Sequence, residues 1–327
     1  MEKNSIWELR KCNYTLAIEL EKRLKISNIT AELLVQRGVD TYEKAVKYLR
    51  GELKDLSDPY NLSGMTAAVA RIIAAMDGKE KIVIYGDYDV DGICSAVLLK
   101  KCLKFLGHNA DYYIPDRFAD GYGLNLSRVE KLAEQGYGLL ITVDCGISAV
   151  AEVKKAAALG MDIIITDHHN PGQNLPPAIA IINPKLDNDG DSRDLAGVGV
   201  VFKLAMALCR YKGCEGQVFK WLDLVALATV ADIVPLLGDN RILVKYGLKQ
   251  LADTELVGLK ALLINSELND QEIMPWHISF ILAPRLNAAG RLQTAELSLQ
   301  LLLTEDIAKA QEYAEKLAAF NNERRLI

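Results

Sequence analysis

Three short clusters hold the residues most able to do chemistry. They are Asp87-Tyr88-Asp89-Val90-Asp91-Gly92, then Asp144, then Asp167-His168-His169. Carboxylates so close together repel one another and must be neutralised by protons or cations. Divalent metal ions do this most effectively. The paired imidazoles add nitrogen donors to the oxygens, a mixture that suits Mn²⁺, Fe²⁺ or Zn²⁺ better than Ca²⁺. A fourth candidate is Asp232, at the end of the apolar run that leads into Ile233-Val234-Pro235. A lone buried carboxylate is costly unless it is paired or bound to a metal.

The elements that must position these groups can be read from what precedes them. Ile82-Val83-Ile84-Tyr85, Leu139 to Val143 and Ile163 to Thr166 are β-branched apolar runs of strand length. They predict strands over 82–86, 138–144 and 162–166, with two more over 110–114 and 179–184. Helical text follows over 93–106, 126–135 and 148–159. Strands alternating with helices predict an α/β class with a parallel sheet of about five strands flanked by helices. In such a sheet ligands bind beyond the carboxyl ends of the strands. Five carboxylates and two imidazoles are therefore expected in one crevice.

The expected domains are a helical N-terminal segment over 1–60, the metal-bearing domain over 61–250 and a helical extension over 251–327. Helices are expected at 30–38 and 41–49, and buried ones at 200–211 and 219–231. The polar-faced helix over 305–325 reads as a connector to a second domain outside this chain.

Other readings of the same residues are weaker. The first cluster resembles the start of an EF-hand loop, but position twelve is Leu98 where a bidentate Glu is needed, and a strand precedes it instead of a helix. Asp144 could equally cap the helix that follows it. Gly197-Val198-Gly199-Val200-Val201-Phe202 lacks the third glycine of a dinucleotide fingerprint. Its glycines are still expected to let helix-start amides approach a phosphate. There is no P-loop and no nucleophile elbow. His108 and His277 read as structural. The six cysteines include no CxxC pair and read as buried thiols, Cys145 among them, which leaves no zinc-finger site.

Half of the 327 residues are hydrophobic, a quarter are charged and the formal net charge is −5. This is an ordinary globular composition. The acidic balance does not exclude nucleic acid, because a local basic groove can coexist with it. No signal peptide or membrane-length apolar run is present, so cytoplasmic location is the expectation.

The motifs resemble those of the DHH phosphoesterase superfamily, in its single-strand-specific exonuclease branch. Gly86 to Gly92, Val143 to Gly146, Thr166 to His169 and Ala231 to Leu236 match its four metal motifs in order. Further similar strings are Tyr113 to Arg117, Gly121 to Asn125, Leu195 to Gly199 and Ala283 to Arg291. The resemblance implies two divalent cations, Mn²⁺ preferred and Mg²⁺ acceptable. Their ligands would be Asp89, Asp91, Asp144, His168 and Asp232, with Asp144 bridging. Asp87 and His169 would sit at the metals or orient the nucleophile and phosphate. Paired cations activate water and stabilise both the attacking and leaving oxygens of a phosphodiester. Arg117 would hold a terminal 5′-phosphate, and Arg285 and Arg291 backbone phosphates, for which the guanidinium fork is suited.

The implied activity is 5′→3′ hydrolysis of single-stranded DNA to 5′-mononucleotides, in repair and recombination. The expected partners are 5′-phosphorylated single strands and a helicase or single-strand-binding protein, with no membrane. The alternatives are a phosphodiesterase of short oligonucleotides or cyclic dinucleotides, a pyrophosphatase, or a non-catalytic scaffold. Scaffolds of this superfamily lose metal ligands, and every expected ligand is present here.

Overall fold

The computed structural model describes residues 8, 11–116, 121, 123–187, 190–292 and 295–326, with the side chains of Arg291 and Leu292 outside that description. Two compact units divide the chain, 1–56 and 57–327. Among its described residues the first holds the α-helices α1 (Tyr14–Leu24), α2 (Asn28–Gln36) and α3 (Tyr42–Arg50). Each starts at a side-chain cap, Asn13, Ser27 and Thr41, which accepts a backbone N–H of the first turn. Sequence patterning predicts α2 and α3. It misses α1, whose exposed face carries Tyr14 and Ile18 and so blurs the apolar period.

The second unit opens with α4 (Met65–Asp77) and alternates through β1 (Lys81–Tyr85), α5 (Val90–Phe105), β2 (Asp111–Tyr113), α6 (Leu126–Glu134), β3 (Tyr137–Val143), α7 (Val150–Ala158), β4 (Asp162–Thr166) and β5 (Ala180–Ile182). It then becomes helical: α8 (Gly197–Tyr211), α9 (Leu222–Ala231), α10 (Gly238–Ala252), α11 (Val257–Asn265), α12 (Pro275–His277), α13 (Ala283–Leu292), α14 (Glu296–Leu303) and α15 (Ile307–Leu326). The five strands form one parallel sheet in the order β2-β1-β3-β4-β5. The α/β class expected from the sequence is the one observed.

β1, β3 and β4 are buried on both faces, as their unbroken apolar runs require. Val83, Tyr85, Leu140, Ile163 and Ile165 share one core with Val129 and Leu132 of α6 and Val153 and Ala156 of α7. The opposite face of the sheet is covered by α4, α5 and α8. The short outer strands β2 and β5 limit the length of unpaired edge. Chain order reverses between β1 and β3. That switch point opens a crevice beyond their carboxyl ends, where the acidic motifs begin.

α8 and α9 are apolar on every side and buried throughout most of their length, as their sequences predict. The expected start of α9 at 219 shifts, because a 3₁₀ segment over Glu215–Trp221 precedes it. α15 begins two residues later than expected, because Asp306 caps it by accepting from the amides of Ala308 and Lys309. No helix among the described residues is long and apolar enough to cross a membrane.

One buried ion pair ties the helical layer together. Lys203 Nζ of α8 lies 2.8 Å from Asp239 Oδ2 of α10, and both side chains are fully buried. Lys203 also donates to the Ser57 carbonyl, and the hydroxyls of Ser57 and Ser192 donate to the same carboxylate. Removing one partner of such a pair strands the other charge in a dry interior. Lys203→Met is expected to lose about 3–5 kcal/mol in urea denaturation. The paired Lys203→Met/Asp239→Leu variant should recover part of that loss, because no charge is left unmatched.

Candidate metal centre

Each strand end delivers its motif by a different local device. After β1 the chain passes Gly86 and Asp87 and enters α5 through Asp89, whose carboxylate accepts from the amides of Asp91 and Gly92 at 2.9 and 3.0 Å. Gly92 is needed here, because a Cβ at that position would stand 2.5 Å from the Asp87 carbonyl oxygen. Asp91, in the first turn of α5, is 1% exposed. Its two oxygens accept from the Gly197 and Val198 amides that open α8, at 2.7 and 2.8 Å. The positive end of α8 thus faces a carboxylate. The sequence leads one to expect these amides at a phosphate. Instead Asp91 takes the amides of Gly197 and Val198. A Cβ at Gly197 would also lie 2.7 Å from Asp144 Oδ1, so only glycine fits between the two aspartates.

Asp144 follows β3 with φ +60°, a left-handed conformation uncommon outside glycine and best tolerated by Asp and Asn. Its amide donates to the Thr166 carbonyl, which extends the β3–β4 ladder by one residue. The turn sends its carboxylate into the crevice. It does not cap the next helix, which begins at Val150 with Ala149 at the cap position. Cys145 beside it is a packing residue, 1% exposed in the sheet core, and burial pushes its thiol up.

After β4, Asp167 folds back on its own loop. Its oxygens accept from the amides of Ile147, His168 and His169, and Oδ1 lies 2.7 Å from His169 Nδ1. It is therefore a positioning group that fixes the His169 ring, as outer carboxylates commonly do for metal-ligating histidines. Asn183 Nδ2 donates to the His169 carbonyl at 2.9 Å and steadies the same loop.

The side chains converge on His168 and Asp144. His168 Nε2 stands 3.1 Å from Asp144 Oδ1, 3.6 Å from Asp232 Oδ2 and 3.8 Å from Asp91 Oδ2. His169 Nδ1 lies 4.0 Å from Asp144 Oδ1. His168 Nε2, Asp144 Oδ1 and Asp232 Oδ2 are buried atoms with no hydrogen-bond partner despite this crowding. Native interiors rarely leave such atoms unsatisfied without a missing ion or water. Three sets of donor atoms each fall within 4.8 Å of one another: Asp144, His168 and His169; Asp91, His168 and Asp232; and Asp87, Asp89 and Asp144. Asp144 and His168 each belong to two sets.

The electrostatics of the metal-free chain match this crowding. Burial first, and the neighbouring Asp89 second, push Asp87 up to about 7. Burial and Asp89 push Asp232 up to about 6. Asp91 and Asp144 are held well above the usual carboxylate range by burial and by the surrounding aspartates. Burial, and then His169, push His168 down to about 4. His169 is raised by its hydrogen bond to Asp167. Burial would raise Asp167, but His169 and the amides hold it below its ordinary value.

Seven expected residues, Asp87, Asp89, Asp91, Asp144, His168, His169 and Asp232, are thus brought together. Arg285 is not among them: its Nη1 donates to the Ile281 carbonyl of the preceding π-helical turn, and burial lowers its pKa. Arg117 lies outside the described residues, and of Arg291 only the backbone, on α13, is described. His277 is buried and accepts from the Met274 amide, a structural role as expected.

The cleft beside Asp89, Asp91 and Asp232 is also lined by Tyr88, Ile233, Asn287 and Gly290. Asn287 Oδ1 accepts from the Val90 amide, and a Cβ at Gly290 would stand 3.0 Å from the Tyr88 carbonyl. These two residues hold α13 against the first motif. The sequence draws notice to their string for its arginines, and neither residue type signals this role by itself.

The profile of the DHH family, N-terminal domain, matches residues 81–229. The single-stranded-DNA-specific exonuclease RecJ of Bacillus subtilis (strain 168) is 43% identical over 97% of this chain and 40% of its own length. RecJ of Escherichia coli (strain K12) is 40% identical over 90% of this chain and 53% of its length. The chain therefore spans about half or less of these curated relatives. A crystal structure of exonuclease RecJ bound to manganese superposes with a TM-score of 0.76 at 37% identity, covering 81% of this chain and 67% of that one. RecJ from Thermus thermophilus in complex with Mn²⁺ gives 0.82 at 33% identity over 95% of this chain and 44% of that one. With the four acidic motifs, the sheet order and these likenesses in agreement, the chain belongs to the DHH family, in its RecJ branch.

Proposed function

We propose that this chain carries the metal-dependent phosphodiester-cleaving centre of a cytoplasmic 5′→3′ exonuclease for single-stranded DNA, acting in repair and recombination. The observation that carries the reading is the trio of buried, unpartnered atoms on Asp144, His168 and Asp232, with His168 Nε2 standing 3.1 and 3.6 Å from the two carboxylate oxygens. Asp89, Asp91, Asp144, His168 and Asp232 would hold two divalent cations, Mn²⁺ or Mg²⁺, with Asp144 shared between them. Bound there, such cations supply Lewis-acid stabilisation of charge on the phosphate and its attacking and leaving oxygens.

The chain's own residues set the rest. Asp91 is fixed by two amides of α8, so its position does not change as charge develops. Asp167 binds His169 through Nδ1 and leaves Nε2 to hold a proton for a phosphate or leaving oxygen. Asp87 completes the acidic rim. Arg117 would receive the 5′-phosphate, with Arg285 and Arg291 toward the backbone. A helicase or single-strand-binding protein would present the strand.

The direct test is Mn²⁺-dependent release of mononucleotides from 5′-phosphorylated single-stranded DNA. Release is expected from the native chain and none above background from Asp144→Ala. Cleavage of dinucleotides or pyrophosphate in preference to long strands would move the reading to another branch of phosphodiesterases. Absence of both cleavage and Mn²⁺ binding would overturn it.

Asp167→Asn is expected to weaken Mn²⁺ binding by about 10–100-fold without unfolding the chain, as loss of an outer carboxylate does. Titration calorimetry of Mn²⁺ compared with the melting temperature separates that effect from a folding defect.

Proton linkage gives a further expectation. Asp87 and Asp232 titrate in the folded metal-free chain near 7 and 6, above their ordinary unfolded range. The folded state therefore binds more protons, and stability present at low pH is lost as pH rises through those values. The metal-free melting temperature should fall between about pH 4 and 7. Saturating Mn²⁺ should abolish that fall, and its binding should release protons most strongly near pH 6 to 7. A flat metal-free profile over this range would contradict the assignment.

A further inference from the structure

The end of α8 opposite Asp91 carries a second cluster of reactive groups. α8 closes with Arg210, Tyr211 and Lys212, and Gly213 follows in the left-handed conformation at φ +72°. The Cys214 amide donates to the Cys209 carbonyl at 2.8 Å, and the Gly213 amide to the Arg210 carbonyl at 3.0 Å. This pair of bonds is a Schellman motif, which folds the chain back so that the side chains at its two ends meet. Here both ends are cysteine. Cys214 Sγ donates to the Cys209 carbonyl oxygen at 3.4 Å, which turns it back toward the residue that carries the other thiol. A disulfide joins Cα atoms roughly 4.4–6.8 Å apart, and the hydrogen bond that closes a six-residue Schellman turn draws its two end residues together.

We infer that Cys209 and Cys214 form a reversible dithiol–disulfide pair, a modification site for low-molecular-weight disulfides at the C-terminal end of α8. The two sulfurs are unequal in access. Cys214 is partly exposed, whereas Cys209 is fully buried, so an oxidant reaches Cys214 first. They are also unequal in reactivity: burial, and then Cys209, raise the Cys214 thiol above its usual range. Hydrogen bonds from Cys102, and then from Cys214, hold the Cys209 thiol below its usual range, against the opposing effect of burial. A thiolate is the attacking species in exchange.

The chemistry balances in two steps. Cys214 thiolate attacks one sulfur of the small disulfide, forming a mixed disulfide and expelling one small thiolate. Cys209 thiolate then attacks the Cys214 sulfur, forming the internal bond and expelling the second small thiolate. Two protein thiols are oxidised, one small disulfide is reduced to two thiols, and the protons of Cys209 and Cys214 end on the released sulfurs.

The test is incubation of the native chain with oxidised glutathione, acid quenching, maleimide alkylation under denaturing conditions and intact mass measurement. Of the six thiols, the Cys209 and Cys214 pair should escape alkylation with no glutathione retained at Cys214. Trypsin cleaves at Arg210 and Lys212 between the two cysteines, so the bond should appear as two peptides joined through sulfur. Cys214→Ser should leave Cys209 and Cys102 fully alkylated. Glutathione retained on Cys214, a Cys102–Cys209 bond, or alkylation of every thiol in the native chain would each overturn the inference.

Discussion

Mutual repulsion among buried carboxylates is the constraint on which the rest of this structure depends. Two like charges about 4 Å apart repel by about 4 kcal/mol at the dielectric typical near a protein surface. Asp87, Asp91 and Asp144 are all nearly inaccessible to water, and Asp89 and Asp232 stand beside them. A hydrogen bond to a charged group returns about 1.5–3 kcal/mol. The amides at the start of α8 stabilise Asp91 and those at the start of α5 stabilise Asp89, but several pairwise repulsions remain. Only protons or cations can offset them, which is why Asp87, Asp91, Asp144 and Asp232 are held above the ordinary carboxylate range.

The fold is arranged to tolerate that load in one place. Parallel strands deliver three motifs to one edge, and the switch between β1 and β3 keeps the crevice open there. α8 then supplies positive amide ends to the anionic side. Its far end is fixed independently, by the Lys203–Asp239 pair and by the Schellman turn at Gly213. A helix anchored at its middle and end can present two amides at a constant position. Asn287 and Gly290 perform the corresponding service for the first motif, holding α13 against Tyr88 and Val90.

Much of this is legible in the sequence because it is local. β1, β3 and β4 are buried on both faces, so they read as unbroken apolar runs, and an aspartate at the end of each is conspicuous. What separates Asp144 from Asp167 is not local pattern. Both follow a strand of the same sheet, yet a left-handed turn sends Asp144 into the cluster, while four donors draw Asp167 away from it. The partnership of Asp91 with Gly197 spans more than a hundred residues of chain, and no periodicity reports it. The Gly197 string therefore suggests a ligand's phosphate when its real partner is a carboxylate of the same protein. Arg285 shows the same limit of local pattern: its place on α13 lets Nη1 donate to the Ile281 carbonyl of the preceding turn, a contact its residue type does not report.

The adjacent histidines show how far environment separates two identical side chains. They are neighbours in sequence with ring centroids 4.5 Å apart. His168 is 7% exposed and has no hydrogen-bonded carboxylate, so it stays neutral down to about pH 4, with Nε2 free of a proton or able to shed one. His169 is more exposed and is bound to Asp167, which draws its titration upward. Each shift reinforces the other, since a charged His169 further disfavours charge on His168. Groups of one type whose environments drive their protonation apart are the usual basis for dividing roles in a reaction centre. Under the proposed function that division is between a nitrogen that binds a cation and a nitrogen that carries a proton. Asp167 sets it by reaching one ring and not the other.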